Sequence, residues 1–359
     1  MRSWKAGLAR SRSHPVRRHQ PSRSSIWRAG DNIVSAAGLY GGTWALLAAT
    51  LKNFGIETRF VDASDPEAFA RATDERTRAY YAESLPNPKL EVFPIAEVAE
   101  IGRGFGIPLI VDNTAAPLII RPLEHGAAVV VYSATKYIGG HGTAIGGAIV
   151  DGGNFPWRDL AGRQPNLNEP DSSYQGKTWI EKADAIAFHP YILRARAVLL
   201  RDIGAAISPQ NAFQLIQGLE TLPLRLRQHN ENAVKVAEFL KSHPKVSHVI
   251  FPKFQTGDAA ARAAKYLKPG VYGALVGFEL KGGREAGRRF IDALQLFYHL
   301  ANIGDARSLA IHPSTTTHSQ LSPEDQLATG VTPGYVRLSI GIEHPDDLIA
   351  DLAQAIDAA

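Results

Sequence analysis

Two observations predict an α/β protein: a mainly parallel sheet in a large domain, with a second, smaller α/β unit behind it. From Asp31 onward, short and nearly continuous apolar runs alternate with stretches of helical periodicity, as expected for strands covered on both faces by helices. The alternation breaks once, over residues 151 to 176, and resumes beyond a long helical stretch with a shorter set of strands.

Taken in order, the first set of strands reads as Asn32 to Ser35, Thr58 to Val61, Ala79 to Glu83, Pro108 to Asp112, Ala128 to Ser133 and Gly146 to Val150. Residues 151 to 176 are dense in Gly, Asn, Pro and Asp and predict a long surface loop. Helices follow over Thr178 to Arg201 and Asn211 to Ser242, the second long enough to bridge two domains. Strands at Val246 to Phe251 and Gly273 to Leu280, a helix near Gly287 to Leu294, a strand near Leu296 to Ile303 and a last strand at Tyr335 to Ile340 complete the smaller unit. No internal repeat is visible.

Composition narrows the function classes. At 359 residues and 45% hydrophobic, the chain has material for about two domains with a large core. The net charge of +4 is a property of one end: eight of the 39 basic residues lie in the first 30, where there is no acid, leaving 31 basic against 35 acidic residues elsewhere. The body is thus net negative, which argues against a nucleic-acid partner. Zero cysteines exclude a disulfide framework, thiolate metal sites and a cysteine nucleophile, and no metal site is expected. The charge-free stretch Asn32 to Leu51 is long enough to span a membrane, but Ser35, Gly38, Gly41, Gly42 and Thr43 make it strand, loop and helix instead. A cytoplasmic protein without a membrane anchor is the expectation.

The chemistry is concentrated between Ile110 and Gly142. Leu-Ile-Val-Asp-Asn-Thr is followed about twenty residues later by Val-Val-Val-Tyr-Ser-Ala-Thr-Lys-Tyr-Ile-Gly-Gly-His-Gly, two apolar strands that each end in polar groups. Ligands bind at the carboxyl ends of strands in open parallel sheets, so Asp112 and the Ser133, Thr135, Lys136 cluster should open onto one crevice. A lysine with hydroxyls one and three residues before it suits a nucleophile beside a phosphate. Pyridoxal phosphate needs such a lysine to hold its aldehyde carbon and a carboxylate to keep its ring nitrogen protonated, and Lys136 and Asp112 can supply both. Taken singly, the pair reads as an exposed lysine after a strand and a helix-capping aspartate.

These blocks resemble the pyridoxal-phosphate-dependent enzymes of cysteine and methionine metabolism, whose signature is Ser-x-Thr-Lys-Tyr followed by Gly-His-Gly. The likeness runs from about Ala29 to the C-terminus and implies a fold-type-I enzyme. Residues 29 to 215 would then be the cofactor-binding large domain and residues 216 to 359 the small domain. Leu39-Tyr40-Gly41-Gly42-Thr43 resembles the loop whose tyrosine stacks on the cofactor ring and helps move protons. Glu83-Ser84-Leu85-Pro86-Asn87-Pro88 resembles the strand end whose asparagine bonds the cofactor's 3′-oxygen. Val336-Arg337-Leu338-Ser339 is similar to the strand whose arginine grips the substrate α-carboxylate, and a lone charge in an apolar strand implies a paired arginine in any case. Asn302 sits where relatives touch that same carboxylate. His312-Pro313 and Thr315 to His318 follow the family pattern, with structural histidines.

Within the family the long loop, Ser208 to Phe213 and Gly218 to Leu222 resemble the branch that adds sulfide to O-acetylhomoserine. The resemblance implies that Lys136, displaced by the substrate amino group, moves protons at Cα and Cβ while acetate leaves Cγ and sulfide adds there. The partners implied are an amino-acid substrate and sulfide, in a homotetramer built as a dimer of dimers. A γ-lyase or γ-synthase differs only after acetate leaves, and a non-catalytic remnant without cofactor is the alternative from another class.

Residues 1 to 28 do not follow the family, whose members carry a substrate-shielding arm and a Ser-Gly-x-Ala helix start that holds the cofactor phosphate. Shifted by one base, the codons for Ser13 to His19 allow Ala-Ser-Gly-Gln-Ala-Ala, and those for Gln20 to Ile26 allow an apolar helix leading into Ala29. The expectation is that this tail is the wrong reading frame of an ordinary gene, so that the chain as written binds cofactor weakly.

Overall fold

The computed structural model describes residues 27–86, 88–160, 162–317, 319, 322, 324, 326 and 331–359. The reading-frame expectation for the tail, and the roles expected for Asn87 and His318, fall outside the described residues except at Trp27 and Arg28. Trp27 is buried beneath the first sheet, and Arg28 pairs with Glu169 at 2.7 Å.

Six strands form the first sheet: β1 (Asn32–Ala36), β2 (Glu57–Val61), β3 (Thr77–Glu83), β4 (Leu109–Asp112), β5 (Val129–Ser133) and β6 (Gly147–Asp151). Their spatial order is β2-β1-β3-β4-β5-β6, and all pairs are parallel except β5 with β6. Adjacent residues sort to opposite faces, as the period of two demands: Ile33 and Tyr81 join one apolar layer, Val34 and Tyr80 the other. Five strands form the second sheet: β7 (Val246–Ile250), β8 (Leu275–Leu280), β9 (Tyr298–His299), β10 (Leu309–Ile311) and β11 (Tyr335–Ser339), in the order β7-β8-β11-β10-β9.

The helices between them begin with α1 (Gly41–Ala45), α2 (Glu67–Arg71) and α3 (Ile95–Phe105). After β6, the stretch expected as a loop contains short turns, among them α4 (Pro165–Asn168). The helix expected over 178 to 201 is broken. α5 (Trp179–Asp184) starts with a capping box between Thr178 and Glu181, the chain turns through Ala187 at φ 49°, and α6 (Pro190–Arg194) restarts after an extended His189. Pro190 explains the break, because proline lacks the amide that would continue the ladder and disfavours helical geometry in the residue before it.

α7 (Pro209–Ser242) has 34 residues and starts on Ser208, whose hydroxyl accepts from the Asn211 amide at 3.2 Å, with Pro209 in the first turn. α8 (Gly257–Tyr266), α9 (Gly283–Ala293) and α10 (Pro345–Asp357) cover the second sheet. One continuous apolar cluster runs from Val34 and Val111 of the first sheet through Leu222 and Val236 of α7 to Phe278 and Val336 of the second. The strand expected over Leu296 to Ile303 is cut to two residues, because the chain folds back at Asn302, whose amide bonds Leu300 O, and Gly304 adopts φ 69°. No helix among the described residues is long and apolar enough to cross a membrane.

Candidate active site

The first group of polar side chains is set by strand register. Glu83 of β3 pairs with Asp112 of β4, and Asp112 pairs with Val131 of β5, so the carboxyl ends of three parallel strands bring Glu83, Asp112 and Ser133 to one rim. Asp112 accepts the Thr114 amide at 2.9 Å and faces the Tyr81 hydroxyl at 3.4 Å. Burial raises the Asp112 carboxyl above the ordinary range, and burial together with the Asp112 charge pushes Glu83 up to about 8. Glu83 also accepts the Tyr40 amide at 2.7 Å, which ties the Tyr40 loop to the strand ends. The Tyr40 ring lies back over Gly42, where a Cβ would come within 2.5 Å of it.

Beyond β5 the chain makes a tight turn. The Lys136 amide bonds Ser133 O at 3.1 Å and the Gly140 amide bonds Lys136 O at 2.8 Å, leaving the Lys136 side chain buried. Its Nζ donates to Asn302 Oδ1. Burial, reinforced by the Arg337 charge, lowers the Lys136 amine to about 8. The two hydroxyls expected beside it differ. Ser133 Oγ is buried with no hydrogen-bond partner, whereas Thr135 Oγ1 donates to Gly146 O at 3.3 Å and accepts from the Gly146 amide at 3.1 Å.

Arg337 comes from the middle of β11, in register with Gly277 and Ile311. Its Nη2 donates to Asn302 O at 2.9 Å, so the side chain of Asn302 meets Lys136 and its carbonyl meets Arg337. Among the described residues no carboxylate lies within ion-pair distance of Arg337, and its Nε is buried without a partner. Burial pulls the guanidinium down from its ordinary value, opposed by the nearby Tyr335, Tyr137 and Tyr40. The internal ion pair that a lone strand arginine suggests is therefore missing among the described residues.

Of the residues singled out in the sequence, the structure joins Lys136, Asn302 and Arg337 by hydrogen bonds, sets Asp112 and Ser133 on one rim of strand ends, and ties the Tyr40 loop to that rim through Glu83. Sequence reasoning missed Glu83 as a titrating group and Tyr81 as the neighbour of Asp112. Glu83 was within reach, as the acid that ends the strand before Asp112.

A profile of the Cys/Met metabolism PLP-dependent enzymes matches residues 22–357. The chain belongs to that family. It is 51% identical over 340 residues to the O-acetyl-L-homoserine sulfhydrylase of Leptospira meyeri, covering 92% of this chain and 76% of the relative. It is 47% identical to O-acetyl-L-homoserine sulfhydrylase 1 of Thermus thermophilus over 98% of this chain and 82% of the relative. A solved structure described as an O-acetylhomoserine (thiol)-lyase of Campylobacter jejuni superposes with a TM-score of 0.86 at 41% identity, over 93% of this chain and 78% of that one, and carries a pyridoxyl-lysine monophosphate. The fold is accordingly that of a pyridoxal-phosphate enzyme with a mainly parallel sheet.

The residues present fit this cofactor on grounds independent of the relatives. A buried lysine with a lowered pKa can attack an aldehyde near neutral pH, a half-buried carboxylate can hold a ring-nitrogen proton, and the orphaned Ser133 hydroxyl is a donor without an internal acceptor.

Proposed function

We propose that the protein replaces the acetyl-ester oxygen at Cγ of O-acetylhomoserine with sulfide, giving homocysteine and acetate. The observation that carries this reading is the buried Arg337, which has no carboxylate partner among the described residues and shares Asn302 with Lys136. A buried cation with an open donor is costly unless something arrives to pair with it, and an α-carboxylate matches its fork. A ligand gripped there by its carboxylate presents its α-carbon toward Lys136. Pyridoxal phosphate, held by Lys136, Asp112 and Ser133, would supply the electron-accepting ring.

This chain's own groups do the rest. Lys136, with an amine near pKa 8, takes the proton from Cα and exchanges it at Cβ. Asp112 keeps a proton on the ring nitrogen. Tyr40 closes the face of the site that Glu83 anchors. Asn302 holds the amine of Lys136 and orients Arg337, while Thr135 and Asn87 complete the family's cofactor contacts. Residues 29 to 215 and 216 to 359 act as the two domains, assembled as a cytoplasmic dimer of dimers.

The test is an assay of homocysteine formed from O-acetylhomoserine, with and without sulfide, after reconstitution with pyridoxal phosphate. Homocysteine that depends on sulfide and disappears in Lys136→Ala supports the reading. Release of an α-keto acid and ammonia without sulfide would replace it with γ-elimination.

A further inference from the structure

One face of α7 touches both halves of the site without contributing a side chain to it. Gly218, Thr221, Arg225, His229 and Asn232 recur at intervals of three and four, so they line a single stripe of the helix. At the upper end, the helix backbone lies against the turn that carries Lys136: a Cβ on Gly218 would be 2.4 Å from Ile138 O. Arg225 Nη1 donates to Tyr137 O at 2.8 Å, and its Nη2 to Ile138 O at 3.2 Å and to Gly218 O at 2.6 Å. Tyr137 and Ile138 are the first two residues after Lys136. Gly140 passes so close to the guanidinium that a Cβ there would be 2.3 Å from Nη1.

One turn further along, the same stripe grips the chain leaving β11. His229 Nδ1 donates to Ile340 O at 2.6 Å, three residues beyond Arg337, and its ring packs edge-on against Tyr137. Asn232 Nδ2 donates to Gly341 O at 3.1 Å and to Glu343 O at 2.8 Å. Burial lowers the His229 imidazole to about 4, so this contact is made by a neutral ring that adds no positive charge beside Lys136 and Arg337. Arg225 likewise pairs with no carboxylate among the described residues and spends its donors on backbone carbonyls and the Thr221 hydroxyl.

We propose that Arg225 and His229 are positioning residues that fix the separation of Lys136 and Arg337, with α7 acting as the rigid spacer between the lysine turn and the arginine strand. A carboxylate held at Arg337 then has its α-amino end within reach of Lys136 only while both grips are intact. The proposal rests on the α-amino-acid reading of the site, and the choice of acyl-homoserine and sulfide does not enter it.

The experiment measures binding to the cofactor-loaded enzyme of two probes that carry no leaving group at Cγ: L-norvaline, and n-butylamine, which is the same molecule without its carboxylate. His229→Ala is expected to weaken norvaline about tenfold and butylamine less than twofold. It should have no added effect in an Arg337→Ala background, and His229→Asn, which keeps a donor near the Nδ1 position, should restore most of the loss. Arg225→Ala is expected to weaken both probes, because it frees the turn that carries the amine, with Arg225→Lys recovering part. Should His229→Ala fail to fold, Asn232→Ala reads the same coupling through the neighbouring carbonyls. Equal losses for both probes in His229→Ala, or a loss that persists undiminished without Arg337, would overturn the proposal. A wild-type enzyme that prefers norvaline to butylamine yet forms no homocysteine would leave the spacer standing and remove only the assigned reaction.

Discussion

Half-buried Asp112 and buried Arg337 carry opposite charges in the site, and their surroundings differ. Asp112 ends a parallel strand, where a backbone amide and a tyrosine hydroxyl already face it. Arg337 sits mid-strand between two antiparallel neighbours, with one carbonyl on Nη2 and an orphaned Nε. One charge is largely satisfied before any ligand arrives. The other is held at a cost that an incoming anion relieves, so on the proposed function Asp112 suits retention of a cofactor and Arg337 the admission and release of a substrate.

The sharpest break comes at Lys136, which serves both sides. Lys136→Ala should abolish covalent attachment of pyridoxal phosphate, seen as complete loss of the visible absorbance band, and with it all turnover. Next in size, Asp112→Asn should keep the band but lose most of kcat, because a neutral amide cannot hold the ring nitrogen protonated; substantial activity would contradict that role. Arg337→Ala should leave the band and raise KM, since truncating a buried charge-pair partner costs about 2 to 5 kcal/mol, roughly thirty- to several-thousand-fold. Arg337→Met sharpens the contrast from the other direction. Removing a desolvated charge should stabilise the cofactor-free protein by about 1 to 4 kcal/mol in denaturant titrations, whereas Asp112→Met should not.

Smaller effects separate the neighbours. Ser133→Ala should weaken cofactor affinity without lowering the melting temperature, since its hydroxyl has no internal partner. Thr135→Ala should cost about 1 kcal/mol of stability, because it removes the two hydrogen bonds to Gly146. The smallest effect is a pH slope. Glu83 has a folded pKa of about 8, above the ordinary value of 4.5, so between these values the folded state holds more protons than the unfolded one. Its contribution to stability is therefore fully present below pH 4.5 and is lost as pH rises through 8. In the cofactor-free protein, Glu83→Gln should flatten the fall in melting temperature between pH 5 and pH 8; an unchanged slope would remove Glu83 as its source.

How far this was legible in sequence depends on what each residue bonds to. The six strands of the first sheet could be read to within a residue or two at each end, the inner ones because strands buried on both faces are nearly uniform in apolar content, whereas the edge strands β2 and β6 are only partly buried. Lys136, Asp112 and Arg337 stood out as polar groups where apolar strands end or are interrupted. Besides the short α4 inside the expected loop, three elements escaped. β10 has only three residues, α8 is rich in alanine, and α10 follows the last strand without a distinctive motif. The break before Pro190 was visible as a proline yet outweighed by the periodicity around it. Arg225, His229 and Asn232 were illegible for a physical reason: they bond carbonyl oxygens far away in the chain, and a carbonyl leaves no trace in residue type.

That last property has an evolutionary side. Because α7 reads Tyr137, Ile138, Ile340, Gly341 and Glu343 through their main-chain oxygens, the side chains at Ile138 and Ile340 can change without breaking those bonds. A lineage can thus repack the core beside these carbonyls while the frame that separates amine from carboxylate keeps its bonds. The glycines at 140 and 218, pressed against that frame, are the positions where such drift has the least room.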